Sequence, residues 1–574
     1  MEGTSAQGPL LRRACFPEEV LEHVLGFITS HKDRNVISLV CKAWYHVEAA
    51  TRQHVFIGNC YSVSPAHLVR RFKNLKSLTV KGKPRFSDFG LVPAYWGAYA
   101  DPWVSALAEA YPWFEGLHLK RMTVSDECLA KLAYSFPNFK KLVLSTCDGF
   151  STTGLAHIAR NCRHLQVLEL QECEVGYGEE WLSCFPDSFT SLVSLNFTSC
   201  PDVVNVKALE RLVSRCMSLK SLKLNGTVTF EQLERLVQKA PQIVDLGTGS
   251  FAAPEGPIVK RFETAISKCT ELRCLSGFLL VSSRCVPSLF PVCRNLTFLN
   301  LSYASSMRSS EMTKLISNCN KLRHLWVLDT LEDKGLQAVA SACKDLQELR
   351  VFPTETCGQG LASEKGLVAI SEGCRNLTSI LYFCGKMTNE GLKTVARNSP
   401  QLTCFRLCIL VPCSPDHVTK EPLDEGFGAI VKSCKDLKRF SLSGLLTDTV
   451  FCYIGTYGKQ LEMLSLAFAG KSDLGMQKIL EGCVNLRKLE IRDSPFGDAA
   501  LLHNVQKYEC MRSLWMSSCN VTVSGAQSLA KVMPSLNVEI MKDDDSEDRA
   551  EKLYVYRTIA GHRADAPFFV HTCR

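Results

Sequence analysis

One amphipathic helix followed by a short leucine strand recurs along most of this chain, and no other feature narrows its fold so far. GLAHIARNCRHLQVLEL (154–170), GLQAVASACKDLQELRV (335–351) and GLVAISEGCRNLTSILY (366–382) are three clear copies. In the first, Leu155, Ile158, Ala159 and Cys162 fall on one helical face, and Leu165, Leu168 and Leu170 give the L-x-x-L-x-L of a strand. The first leucine-like residue of such a strand can be placed eighteen times, from Leu75 to Leu536. Most intervals are 24 to 29 residues, about what one helix, one strand and two turns consume.

This pattern predicts an α/β solenoid of about eighteen leucine-rich repeats, strongly curved, with parallel strands on the concave side and helices on the convex side. A chain of 574 residues is too long for one ordinary globular core, so a repeat array also fits its length. It accounts for much of the cysteine content. Nine of the 28 cysteines (Cys162, Cys216, Cys269, Cys293, Cys319, Cys343, Cys374, Cys434 and Cys483) stand three residues before a strand's first leucine, as small packing groups. The opening segment lacks the apolar core of a secretory signal, so free thiols in a reducing compartment are expected. No CxxC pair accompanies Cys404, Cys408 and Cys413, and no metal is expected.

Three intervals are too long: 39 residues from Leu75 to Phe114, 31 from Leu346 to Leu377 and 35 from Leu402 to Leu437. They predict long loops near 81–113, 352–366 and 408–428, emerging on one face of the array. Period-2 alternation sends the second, fourth and sixth residues after the first leucine to the concave side. Lys81, Lys120, Arg350, Arg406, Arg439, Lys488 and Arg492 all hold such positions. Gathered by curvature, these cations would repel one another and call for a bound polyanion, a phosphate-rich small molecule. Beside them Leu381, Phe383, Leu407, Cys408, Leu442, Leu466 and Ala467 offer apolar walls, with Ser441 and Glu490 as polar points. Such a pocket suits a small aromatic carboxylate gripped by Arg406.

Residues 16–48 read as short helices with more apolar surface than they can bury alone. The run Asp543 to Asp548 reads as a linker, and LYVYRTIAG from Leu553 as a terminal strand; residues 541–574 thus form a linker and cap. A net charge of +8 is modest for this length and does not point to nucleic acid, and no apolar run is long enough to span a bilayer. No nucleophile and base constellation or phosphate-binding loop is present, so catalysis by this chain is not expected.

The opening Phe-Pro-Glu-Glu-Val-Leu, the spacing to Asp33-Arg34, and Leu39-Val40-Cys41-Lys42-Ala43-Trp44 resemble the F-box, placed at 10–55, with the repeats at 56–540. With VFIGNCYSVSP, SLTVKGKPRFSDF, LRVFP, LYFC, FRLCI, SLSGLLTD, AFAG and LEIRDSPFGD, nearly the whole chain resembles the plant auxin receptors of the transport-inhibitor-response and auxin-signalling F-box family. The resemblance implies a nuclear, non-catalytic substrate receptor on a Skp1-type adaptor and a cullin-1-type scaffold. It would hold inositol hexakisphosphate and use auxin as glue for Aux/IAA repressor degrons; the alternative is an F-box leucine-rich-repeat adaptor that responds to a jasmonate-type ligand or recognises its substrate without hormone. By matching motif, Phe86, Phe89, Leu381, Phe383, Arg406, Leu407, Cys408, Ser441, Leu442, Leu466, Ala467 and Glu490 would shape the auxin cavity. Lys81, Lys120, Arg121, Arg350, Arg406, Arg439, Arg487, Lys488 and Arg512 would meet the inositol phosphate, and Phe16, Pro17, Val20, Leu21, Leu39, Val40 and Trp44 the adaptor. Arg121, Arg487 and Arg512 rest on the resemblance, not on alternation. Arg85 stands where many members have histidine, Cys404 and Cys413 replace basic residues common near the polyanion, and TETCGQGLASEKG lacks a phenylalanine that many members present to the degron.

Overall fold

The computed structural model describes residues 17–84, 96–252, 256–355, 360–533, 535–541, 552–557 and 570–573. Helix and strand alternate through them as the repeat predicts, and 21 strands join into one sheet, with the short strands Phe150–Ser151 and Val175–Gly176 paired apart from it. All but the final two of these strands are parallel neighbours in chain order, which leaves nineteen in the array. Each of the eighteen strands expected from the leucine pattern is present, from Ser77–Lys81 to Asn537–Met541. The nineteenth comes first: His54–Ile57 pairs in parallel with Ser77–Lys81 and starts the sheet two residues before position 56. Its HVFI lacks the leucine spacing by which the others were found.

The alternation drives burial. In Ser77–Lys81, Leu78 and Val80 are buried while Ser77, Thr79 and Lys81 are half-buried on the other face. Leucines and phenylalanines from strands and helices form one continuous core between the layers. The nine cysteines of the repeat are buried in it. Several give the thiol hydrogen to a backbone carbonyl of the same or the preceding repeat, as from Cys374 Sγ to Cys343 O at 3.2 Å. Burial pushes the thiols of Cys343 and Cys434 up to about 12, so they stay protonated.

Carboxylates tie successive helices together. Asp126, on the first turn of Asp126–Ser135, accepts from Ser151 N, Ser151 Oγ and Gly154 N at 2.8, 2.6 and 3.0 Å. Asp333 does the same for Ser363 and Gly366, and Asp498 for Thr522. Each satisfies orphan N–H donors at the start of the next helix and fixes the stacking of neighbouring repeats.

The N-terminal helices Glu18–Gly26, His31–Ile37 and Lys42–Thr51 have their own small core of Leu21, Leu25 and Val47, against which Ile28, Ile37 and Trp44 pack. A buried Glu48 joins them to the array: Arg34, Arg52 and Arg71 all pair with its carboxylate, and Arg71 belongs to the first helix of the solenoid, Pro65–Arg71. At the other end Lys552–Arg557 pairs antiparallel with Asn537–Met541 and closes the parallel stack, with Val570–Cys573 beyond it. The acidic run 543–548 lies outside the described residues.

Candidate functional site

The sheet register turns the concave face into layers about 7 Å apart, two residues of strand rise. The middle layer runs, strand by strand, Trp326, Arg350, Leu381, Arg406, Ser441, Ser465, Glu490. Below it run Glu348, Ser379, Cys404, Arg439, Met463 and Lys488. Above it, Phe383 neighbours Cys408, and Ala467 neighbours Arg492. Arg406 therefore stands between a lower row with two cations and an upper row that is apolar on its own strand and the preceding one.

Curvature brings the first repeats to this wall. Burial and the charges of Lys488, Arg121, Lys120 and Arg439 together lower the Lys81 ammonium to about 8. Lys81 and Lys488 lie more than four hundred residues apart in the chain, so the coil closes far enough for opposite walls to feel each other. Lys81 also sits over the ring of Phe56 at 4.9 Å. Gly82, just after it, is required: a Cβ there would stand 2.5 Å from Arg121 O. Arg121 has a left-handed φ of 53° and donates from Nε to Lys83 O at 2.9 Å. Crowded cations that depress a lysine in this way fit a polyanionic ligand.

A cleft of about 260 Å³ opens among Glu348, Arg350, Leu381, Cys404, Arg406 and Arg439. Arg350 is held in it by Glu348, Nε to Oε1 2.9 Å, and lies over the Trp326 ring at 4.1 Å. Glu490 accepts from Ser465 Oγ at 3.2 Å. Burial raises the Cys408 thiol, against the opposing pull of the Ser443 hydroxyl and the charges of Arg406 and Arg492. Arg487 and Arg512 precede their strands at the lower edge of the sheet, joined by Arg512 N–H to Arg487 O at 2.8 Å.

The expected cavity residues divide by parity. Leu381, Phe383, Arg406, Cys408, Ser441, Ala467 and Glu490 are half-buried on the concave face. Leu407, Leu442 and Leu466 have the opposite parity and are buried in the core, so only their backbone reaches that face. Phe86 and Phe89 lie outside the described residues, as does Arg85. Alternation alone could have found Trp326 and also His118, a fourth-position residue whose imidazole is lowered by burial and by Lys141, Lys120 and Lys81. Glu348 was open to the same rule at a second position. None of the three is among the expected residues, which comprise cations, apolar groups and the two polar points Ser441 and Glu490.

The three long intervals all begin at the C-terminal ends of parallel strands, Ser77–Lys81, Glu348–Phe352 and Cys404–Ile409, and so at the same edge of the sheet; residues 85–95 of the first and 356–359 of the second lie outside the described residues. In the third, buried Asp416 organises the turn by accepting from Asn389, Val418 and Thr419 N–H at 2.7, 2.9 and 2.9 Å. Burial alone would raise this carboxyl; the N–H donors hold it below its ordinary value.

On the N-terminal helices Val20, Leu39 and Val40 are exposed, as is Pro17, and Val24, Phe27 and Val36 join them. Leu21 and Trp44 instead turn into the helices' own core, because a three-helix unit needs anchors from each helix; Phe16 lies outside the described residues. Among the described residues no His, Cys, Asp and Glu group could hold a metal ion, and no helix is long and apolar enough to cross a membrane.

Two family models match the chain: the F-box at residues 13–54 and the Transport inhibitor response 1 protein domain at 73–119. GRR1-like protein 1 of Arabidopsis thaliana is 53% identical over 567 residues, covering 97% of each chain. The chain belongs to the transport inhibitor response 1-like F-box proteins. Among the relatives of this F-box protein is a transport inhibitor response 1-like protein of Oryza sativa subsp. japonica, 52% identical over 562 residues and covering 96% of both chains. Coronatine-insensitive protein homolog 1b of the same rice is 35% identical over 573 residues, covering 96% of this chain and 95% of that one. F-box proteins of this family partner with Skp1 and cullin in ubiquitin ligases, as substrate receptors that are generally not catalytic.

Proposed function

We propose that this protein is an auxin co-receptor: auxin and an Aux/IAA degron bind together at the concave face, and the repressor is then ubiquitinated by the ligase assembled on the F-box. The observation that carries the reading is the layered register at Arg406, with Ser441 beside it, Phe383, Cys408 and Ala467 above and Arg439 and Lys488 below. A guanidinium with an apolar ceiling suits an aromatic ring bearing a carboxylate. The cations beneath suit inositol hexakisphosphate, with Lys81, Lys120, Arg121, Arg350, Arg439 and Lys488 as its holders and a structural role for the bound polyanion. Cys404, where many members carry a basic residue, favours a weaker hold on it. A nuclear site of action goes with the repressor substrate.

The test is capture of an Aux/IAA degron peptide by the chain co-purified with a Skp1-type adaptor, with and without auxin, and jasmonate-isoleucine with its own degron as the second arm. Auxin-dependent capture is expected. Arg406→Ala should weaken it at least about ten-fold, the loss of one charge-assisted contact, with adaptor binding intact. Capture that ignores auxin, or that appears only in the jasmonate arm, overturns the reading.

A further inference from the structure

Glu348 is a carboxylate inside a basic cleft. It stands two residues before Arg350 on the strand Glu348–Phe352, so both side chains share the concave face. Its side chain is 19% exposed, and one oxygen, Oε1, accepts from Trp326 Nε1 at 2.8 Å and is ion-paired with Arg350 Nε at 2.9 Å. The same cleft is lined by Arg406, Lys438 and Arg439, with no other carboxylate among its lining residues.

We propose that Glu348 is a built-in counter-anion of this site: it occupies Arg350 in competition with an incoming phosphate oxygen and so sets how tightly the concave face holds a polyanion. The inference rests on the polyanion part of the proposed function. Two effects of the carboxylate oppose each other. It helps to fix the guanidinium, which favours a ligand, and it repels any anion that approaches, which does not. The stacking of Arg350 on Trp326 supplies orientation independently, at 4.1 Å. The charge is therefore the larger effect of Glu348, and a glutamine keeps the oxygen acceptor while removing that charge.

Calorimetric titration of inositol hexakisphosphate into the full chain with its Skp1-type adaptor tests this. Glu348→Gln should bind about five-fold more tightly than wild type, the effect of one like charge removed from a partly hydrated site. In an Arg350→Ala background the same substitution should gain less than about two-fold, because the competition acts through Arg350. Unchanged or weaker binding by Glu348→Gln overturns the inference, and so does an equal gain in both backgrounds, which would reduce Glu348 to a distant charge. No binding by wild type and Glu348→Gln alike removes the inference together with the polyanion reading. A gain that appears while auxin-dependent degron capture is absent supports the inference and overturns the hormone reading alone.

Discussion

Lys81 stands near the start of the array, yet its protonation is set partly from the other end. Burial and the charges of Lys488, Arg121, Lys120 and Arg439 disfavour its cation, so it loses charge as pH rises through about 8, not near the ordinary lysine value of about 10.4. A ligand that needs this charge should bind best below pH 7 and weaken between about pH 7 and 9. Inositol hexasulfate, fully ionised across that range, isolates the protein's own titration. Its affinity should fall over the window for wild type, and Lys81→Arg should flatten the fall because arginine stays charged. A wild-type profile that stays level to pH 9 sinks the idea. Single residues also mark the limit of reading by type: Arg406 and Ser441 have the concave parity, whereas Leu407, Leu442 and Leu466, apolar like true cavity walls, turn into the core.

Among the elements, the junction between the F-box helices and the solenoid is tied by one buried carboxylate. Glu48 is fully buried and answers three arginines, two from the F-box end and one, Arg71, from the first solenoid helix. Its removal leaves guanidinium groups without their carboxylate, a change worth about 3 kcal/mol when a buried pair is broken. Glu48→Gln should therefore lower the denaturant midpoint and speed hydrogen exchange across Glu18–Thr51, while the central repeats keep their protection. Uniform loss of protection along the whole chain would contradict this division. The repeat elements themselves are legible from leucine spacing; the carboxylates that cap the next helix lie outside that pattern. Their signal is visible in retrospect: Asp126, Asp333 and Asp498 each open a helix one repeat before a Ser or Thr at the next helix start.

At the scale of the whole molecule, the coil gathers like charges that local folding keeps apart. A ligand bound to the native concave face stabilises it by mass action, about 2.7 kcal/mol at a hundred-fold excess over Kd. Inositol hexakisphosphate should therefore raise Tm. Lys488→Gln should raise the Tm of the ligand-free chain by relieving Lys81, and should shrink the gain from the ligand. Differential scanning calorimetry of both forms reads the two effects; a lower ligand-free Tm in the variant would show that Lys488 stabilises the wall instead of crowding it.

The sequence by itself determined the element order, the parity of every repeat strand and hence which cations face inward, because a strand's side-chain period of two is a local property. It also carried the apolar face of the F-box helices. Only the tertiary structure decided that Lys81 feels the charges of Arg439 and Lys488, that Glu348 and Trp326 hold Arg350, and that Glu48 ties the F-box to the solenoid. These depend on curvature and on the docking of separate units, which sum small rotations over many repeats and leave no period in the chain to read.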